Sequence, residues 1–349
     1  MANTKIGLAV VGVGYWGGNY VRILSQLPTC RMLAVVDRDK AHLDKLCASF
    51  PAVRGHTDLT ACLATEPEVH AVVVCTPAST HFSVVQQCLL ADRHVLCEKP
   101  LTVDSKEAEA LAALAAERGR VLLVGHTFLF NNAFARLCDH TLLPEFGDLY
   151  YLYCKRTNLG PVRSDVDVTW DLMTHDVSQL LVLMSLHNRR PLRVSASAAS
   201  PLNSPRYDVV FATLFFEGNV AAHMHASWID PMKERKMTVV ASRQKIVFDD
   251  VELRNRITVY NQGALVVPPQ QFQEPEGDFH LFKLHVLDGD TIIPFVKSSE
   301  PLKEQCIHFL EGIRTGGPVK SDGTFGAQVV QVLERISQSA AQGGVCLDL

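Results

Sequence analysis

The first third of the chain repeats one pattern: a short apolar run, a break, then a longer stretch with apolar residues every three or four positions. The runs are residues 5–11 (KIGLAVV), 31–36 (RMLAVV), 70–75 (HAVVVC), 93–97 (RHVLC) and 120–125 (RVLLVG). Runs this short, this apolar and this rich in Val suit strands covered on both faces. Residues 17–27, 39–49, 80–91 and 104–118 lie between them with helical spacing. Val21, Leu24 and Leu27 share one face of the first, and Gly119 closes the last. The alternation predicts a doubly wound parallel sheet with helices on both faces, an α/β domain over residues 1–126.

Beyond residue 126 the rhythm changes. Residues 149–155 (LYYLYCK), 192–199, 207–216, 219–227 and 236–248 read as strands with little helix between them. Successive strands of this kind predict a large, open, mostly antiparallel sheet in an α+β domain over 127–349. One intervening segment, 167–187, is apolar with helical spacing. Residues 255–300 show no clear period, and Gln270–Asp278 (QQFQEPEGD) reads as a loop.

Composition narrows the function. The 349 residues are 47% hydrophobic and 20% charged, so the chain is globular and not disordered. Its formal net charge of −4 speaks against a nucleic-acid binder. No apolar window is long enough for a membrane span. The glycine-broken N-terminus lacks the unbroken apolar stretch of a signal peptide. None of the ten cysteines forms a CxxC pair, which fits buried thiols in a reducing cytoplasm.

The first chemical motif is Gly12-Val13-Gly14-Tyr15-Trp16-Gly17, a GxGxxG between a predicted strand and a predicted helix. In that setting Gly12 permits the tight turn, Gly14 lets the backbone approach a pyrophosphate, and Gly17 lets helix pack on strand. The helix start favours the anion. Asp37, 20 positions after Gly17, ends the next strand, where a carboxylate accepts from a ribose hydroxyl and repels a 2′-phosphate. The expected cofactor is therefore NAD, with NADP left open by the adjacent Arg38.

The second motif is Glu98-Lys99-Pro100, directly after a strand. A lysine there stands where open α/β sheets bind ligands, though the residues alone favour a surface lysine before a turn. The third is Asp171 and His175, four apart in a helical segment, where a carboxylate can orient an imidazole general base. A helix-start Asp beside an ordinary core His fits the same spacing. His175 and Asp176 with His223 and His225 leave a metal site open, although nothing in the spacing enforces one.

Taken together, GVGYWG, Asp37, the segment bearing Thr76, Pro77 and His81, Glu98-Lys99-Pro100, GHTFLFNN (Gly125–Asn132) and the Asp171/His175 pair resemble the Gfo/Idh/MocA oxidoreductase family over essentially the whole chain. The resemblance implies an enzyme with a Rossmann domain plus an open-sheet domain, and a homodimer or homotetramer. It implies that Lys99 contacts the reacting hydroxyl and the cofactor, that His175 is the acid/base, and that Asp171 orients it. Tyr15, Trp16, Thr76, Pro77, His81 and Glu98 would line the cofactor, and no metal is expected. Residues 155–176 and Glu300–Val319 are similar to the branch acting on sugar nucleotides, which makes Arg156, Asn158 and Trp170 substrate-facing candidates. The expected reaction is hydride transfer between nicotinamide and a sugar hydroxyl or ketone. A free sugar or inositol substrate, and a non-catalytic NAD-binding regulator, are the alternatives.

Overall fold

The computed structural model describes residues 5–163, 165–203, 205–266 and 284–349. The reading of Gln270–Asp278 as a loop lies outside the described residues. The first part of the chain runs β1 (Ile6–Val11), α1 (Tyr15–Gln26), β2 (Cys30–Val36), α2 (Lys40–Ser49), β3 (Arg54–His56), α3 (Leu59–Thr65), β4 (Ala71–Val74), α4 (His81–Leu90), β5 (His94–Glu98), α5 (Ser105–Glu117) and β6 (Leu122–Gly125). The remainder runs α6 (Asn132–Thr141), β7 (Leu149–Leu159), α7 (Thr174–Leu186), β8 (Pro191–Ala199), β9 (Val209–Phe216), β10 (Val220–Ser227), β11 (Ile229–Ala241), β12 (Lys245–Asp249), β13 (Ile257–Tyr260), β14 (Gly263–Val266), β15 (Leu284–Leu287), β16 (Thr291–Ile292), α8 (Pro301–Thr315), α9 (Gly323–Ala341) and β17 (Leu347–Asp348).

The first sheet has six parallel strands in the order β3-β2-β1-β4-β5-β6. Chain order reverses between β1 and β4, the switch point at which such sheets open a ligand crevice beyond the strand carboxyl ends. The continuous apolar runs are explained by burial: β4 is buried along its whole length and β1 from Gly7 onward.

By packing, the chain falls into two units of three segments each. The first takes Met1–Asn131, Arg163–Ser178 and Ser299–Ser337; the second takes Asn132–Val162, Gln179–Ser298 and Gln338–Leu349. Two of the first unit's segments lie well beyond residue 126, the boundary read from the sequence. In that unit Val124 N–H donates to Ser321 O at 2.7 Å, and Ala327 and Val330 of α9 join the core beneath the sheet. Hydrophobic period reports local structure, not which earlier element a later segment joins.

The second unit carries a nine-stranded sheet in the order β16-β13-β12-β11-β7-β10-β9-β8-β17. Its neighbours are antiparallel apart from β7 and β10, which run parallel. The strand expected over 236–248 is instead parts of two, β11 and β12. Their turn is closed by Ala241 N–H donating to Gln244 O at 2.9 Å, and an apolar run of that length does not by itself reveal a hairpin. A short pair, β14 and β15, completes the strands among the described residues.

Candidate active site

The cleft of the first unit is built on the glycine turn. Gly12 has φ +84°, and a Cβ there would lie 2.8 Å from the backbone of Cys75. A Cβ on Gly17 would lie 1.9 Å from Gly12 O, so α1 sits directly on the turn. Gly14, the N-cap of α1, has no atom within 4 Å of a Cβ position and faces open space. Helices α2, α3 and α5 are capped by the carboxylates of Asp39, Asp58 and Asp104. By contrast α1 starts with no side-chain cap and no acidic residue in its first turn. Its first N–H groups and the positive end of its dipole are thus left for an anion.

Asp37 follows β2 and is held from two sides. Val13 N–H donates to its Oδ2 at 2.8 Å and Asp39 N–H to its Oδ1 at 2.9 Å. The turn and the acid are thereby one rigid piece. Gly12, Gly14, Trp16, Asp37, Arg38, Thr76, Pro77, His81, Glu98 and Lys99 all line one cleft of about 860 Å³, together with Arg163 and Asp165. Tyr15 stands apart, 81% exposed, its ring edge-on to Trp16. The uncapped helix, the open space at Gly14 and the fixed carboxylate together fit a dinucleotide.

His81 spans the cleft wall. Its Nδ1 lies 2.7 Å from Pro100 O and its Nε2 2.8 Å from Thr76 O. Burial lowers its pKa, while the two carbonyls, each placed to accept from a ring N–H, work to raise it. The residue ties the Thr76 loop to the Lys99–Pro100 turn, whose peptide bond is cis.

At the other end of the cleft, Lys99 Nζ donates to Asp171 O at 2.7 Å and to Asp171 Oδ1 at 3.2 Å. Arg163 Nη1 donates to the same Oδ1 at 3.0 Å, while its Nε and Nη2 grip both oxygens of Asp165 at 2.8 and 2.5 Å. Burial works to raise the Asp171 pKa, but Lys99 and Arg163 outweigh it and hold the carboxyl low. Residues Thr169–Met173 form a π-helical turn ahead of α7, and it carries Asp171 to these two cations. His175 lies at the start of α7, half-buried, its ring edge-on to Phe128 at 4.6 Å.

Trp170 packs partly buried against the core of the first unit. Arg156 and Asn158 lie on β7 of the second unit; Arg156 is buried and donates to Gln179 Oε1 at 3.4 Å. His223 and His225 are on β10, where His223 Nδ1 lies 3.0 Å from Thr213 Oγ1 and His225 stacks on Phe211. Among the described residues no group of three or more His, Cys, Asp or Glu is placed to hold a metal ion.

Behind Lys99, sequence reading quoted Glu98 and the segment holding His126 and Thr127 but did not link them to Tyr20 and Gln305. Tyr20 O–H donates to Glu98 Oε1 at 2.7 Å, Gln305 Nε2 donates to Tyr20 at 2.8 Å, and Thr127 Oγ1 donates to Gln305 Oε1 at 3.0 Å. Tyr20 and Gln305 are 285 positions apart, and no local signal links them. His126 is also buried there; burial and the charge of Lys99 push its pKa down to about 3.

With this geometry in hand, the comparison with known proteins is direct. Residues 6–126 match the profile described as oxidoreductase family, NAD-binding Rossmann fold, and residues 157–247 match the Gfo/Idh/MocA C-terminal domain. The chain belongs to the Gfo/Idh/MocA family: it is an oxidoreductase, and its cofactor is NAD. The UDP-N-acetylglucosamine 3-dehydrogenase of Acidithiobacillus ferrooxidans is 31% identical over 329 residues, spanning 92% of this chain and 93% of its own. A solved structure of that enzyme superposes with a TM-score of 0.79 at 24% identity, covering 97% of this chain and 99% of its own. The inositol 2-dehydrogenase of Mycolicibacterium smegmatis is 32% identical over 197 residues, 54% of this chain and 57% of its own.

Two outcomes follow from the geometry. Gly17→Ala should lower unfolding free energy by at least about 1–3 kcal/mol, as overpacking against backbone does, while Gly14→Ala stays within about 1 kcal/mol of the parent. Urea unfolding of both variants checks this. Because the folded pKa of Asp171 lies below its unfolded value, its cluster stabilises fully above about pH 5 and less as the pH falls through the folded value. The stability difference between the parent and Asp171→Asn, measured by urea unfolding from pH 7 to 3, should therefore shrink toward acid pH.

Proposed function

We propose that this chain is an NAD-linked dehydrogenase, and in reverse a reductase, of a ring hydroxyl on a nucleotide-linked amino sugar. The observation that carries the reading is the ammonium of Lys99, held by Asp171 at one end of the cleft whose other end has the dinucleotide features. The choice of substrate class rests on the relative that acts on UDP-N-acetylglucosamine, whose similarity runs nearly end to end.

Bound NAD supplies the hydride acceptor, and NADH the donor in reverse. Gly12, Gly14 and the start of α1 would hold the pyrophosphate, and Asp37 the adenosine ribose. Asp37 favours NAD over NADP because its fixed carboxylate repels a 2′-phosphate. Lys99 is only 10% exposed, so its charge is poorly screened and acts strongly on a substrate oxygen. It would donate to that oxygen and stabilise negative charge as the hydroxyl loses its proton. His175 would take the proton through a ring nitrogen and return it in reverse. Asp171 and Arg163 would keep the lysine aimed. Arg156, Asn158 and Trp170 remain candidates for holding the sugar nucleotide.

Inositol oxidation is the second reading, favoured by the relative from Mycolicibacterium smegmatis over about half the chain. It keeps every role above and changes only the substrate. We further propose a homodimer or homotetramer, supported by the aromatic surface of the nine-stranded sheet. Tyr151 and Tyr153 stack there, and Phe211 is 40% exposed. The ten cysteines are free thiols, which supports work in the cytoplasm. No described helix is long and apolar enough to cross a membrane.

The test is absorbance at 340 nm with NAD and, in turn, UDP-N-acetylglucosamine, other nucleotide sugars, free sugars and myo-inositol. A rise with nucleotide sugars alone supports the first reading; a rise with myo-inositol alone replaces it with the second. Under the turning-over condition, Lys99→Ala and His175→Ala should each lose about a hundredfold or more in turnover while still binding NADH by fluorescence. Full turnover in either variant removes that residue from the mechanism.

A further inference from the structure

Glu98 is a buried carboxyl group that the proposed chemistry does not use. It ends β5, is 9% exposed and lines the cleft beside Lys99. Both of its oxygens accept hydrogen bonds: Oε1 from Tyr20 O–H at 2.7 Å and Oε2 from Lys99 N–H at 3.2 Å. The polarity of the first bond is set from behind. Thr127 donates to the Gln305 carbonyl, which turns the Gln305 amide toward Tyr20, and Tyr20, accepting there, points its own proton at Glu98. A carboxyl group with a donor on each oxygen is one arranged to be ionised.

Its neighbours leave that charge standing. Lys99 and Arg163 are balanced by Asp165 and Asp171, which pair with them. Burial lowers the pKa of His81 against the pull of its two carbonyl partners, and burial with the charge of Lys99 lowers that of His126 to about 3. Cys75, on the loop after β4, and Cys306, on α8, both feel Glu98 and are kept as thiols chiefly by burial. Cys97, its neighbour on β5, is likewise a buried thiol. With Glu98 ionised, these described groups would carry a net single negative charge, in a wall where burial limits screening.

We propose that Glu98, held ionised by the relay Thr127–Gln305–Tyr20, biases the bound cofactor toward its oxidised form. The inference rests on the reading that the nicotinamide sits at the Lys99 end of the cleft. The oxidised nicotinamide carries a positive charge that hydride transfer removes, so a nearby fixed carboxylate stabilises NAD more than NADH. The same bias makes NADH, once bound, a stronger hydride donor. Tyr20 and Gln305 are then positioning residues that act through Glu98. Burial raises the Glu98 pKa and outweighs Tyr20, Lys99 and Arg163, so the carboxylate depends on its donors, and the loss of Tyr20 favours proton uptake.

The experiment needs no substrate. Dissociation constants are measured for NADH by fluorescence and for NAD by calorimetry, on the full chain and on Glu98→Gln and Tyr20→Phe. Thermal unfolding of each confirms the fold. In Glu98→Gln the ratio Kd(NADH)/Kd(NAD) should fall on the order of tenfold. Tyr20→Phe should lower the ratio at pH 6.5 and recover toward the parent value at pH 9, as Glu98 ionises again. If both folded variants bind the two forms with an unchanged ratio, even more weakly, Glu98 is merely structural and the proposal is overturned. If the parent binds both forms but Lys99→Ala binds each with unchanged affinity and ratio, the reading of where the nicotinamide sits fails, and the proposal fails with it.

Discussion

One carboxylate oxygen organises this site. Asp171 Oδ1 is shared by Lys99 and Arg163, and the Asp171 backbone carbonyl takes a further bond from Lys99. The two partners of that first contact are 72 positions apart, so a strand end and a later segment are tied by charge. Removing one member of this partly buried cluster leaves another charge without its partner, which costs stability. The arrangement therefore has to exist complete, and the segment Arg163–Ser178 belongs to the first unit with the strands it serves.

The two ends of the cleft use different physics. At the glycine end the chain leaves things out: α1 has no cap, Gly14 no side chain, and Gly17 no room for one. Three other helices of the unit, α2, α3 and α5, have their starts capped by aspartates, whereas the first N–H groups of α1 are left to face the cleft beside Gly14. At the lysine end the chain puts things in. Two cations, two partner carboxylates, a buried glutamate and two buried imidazoles are packed where solvent screens little. An anion is invited by the first end; charge at a reacting centre is controlled by the second.

Much of this was written in local pattern. Five apolar runs named five of the six parallel strands, because residues covered on both faces must be apolar throughout. The missed strand, β3, has only three residues, exposed or half-buried, and so no apolar run to read. GxGxxG, Asp37 and the lysine after β5 were legible because tight turns and strand ends constrain residue type at fixed spacing. Membership of the family follows from those same motifs.

The tertiary structure decided the partnerships. Asp171 was legible as a carboxylate four positions before His175, but spacing gave no sign that Lys99 and Arg163 both meet it. Arg163, visible in sequence only as a positive charge, proved to be a clamp on Asp165 and Asp171. The relay from Thr127 through Gln305 and Tyr20 to Glu98 gathers residues from four stretches of the chain. Sequence determined which residues could do chemistry, because backbone geometry and burial act on near neighbours. Only folding decided which charges meet, because electrostatic partners are chosen by distance in space, and spacing along the chain does not record it.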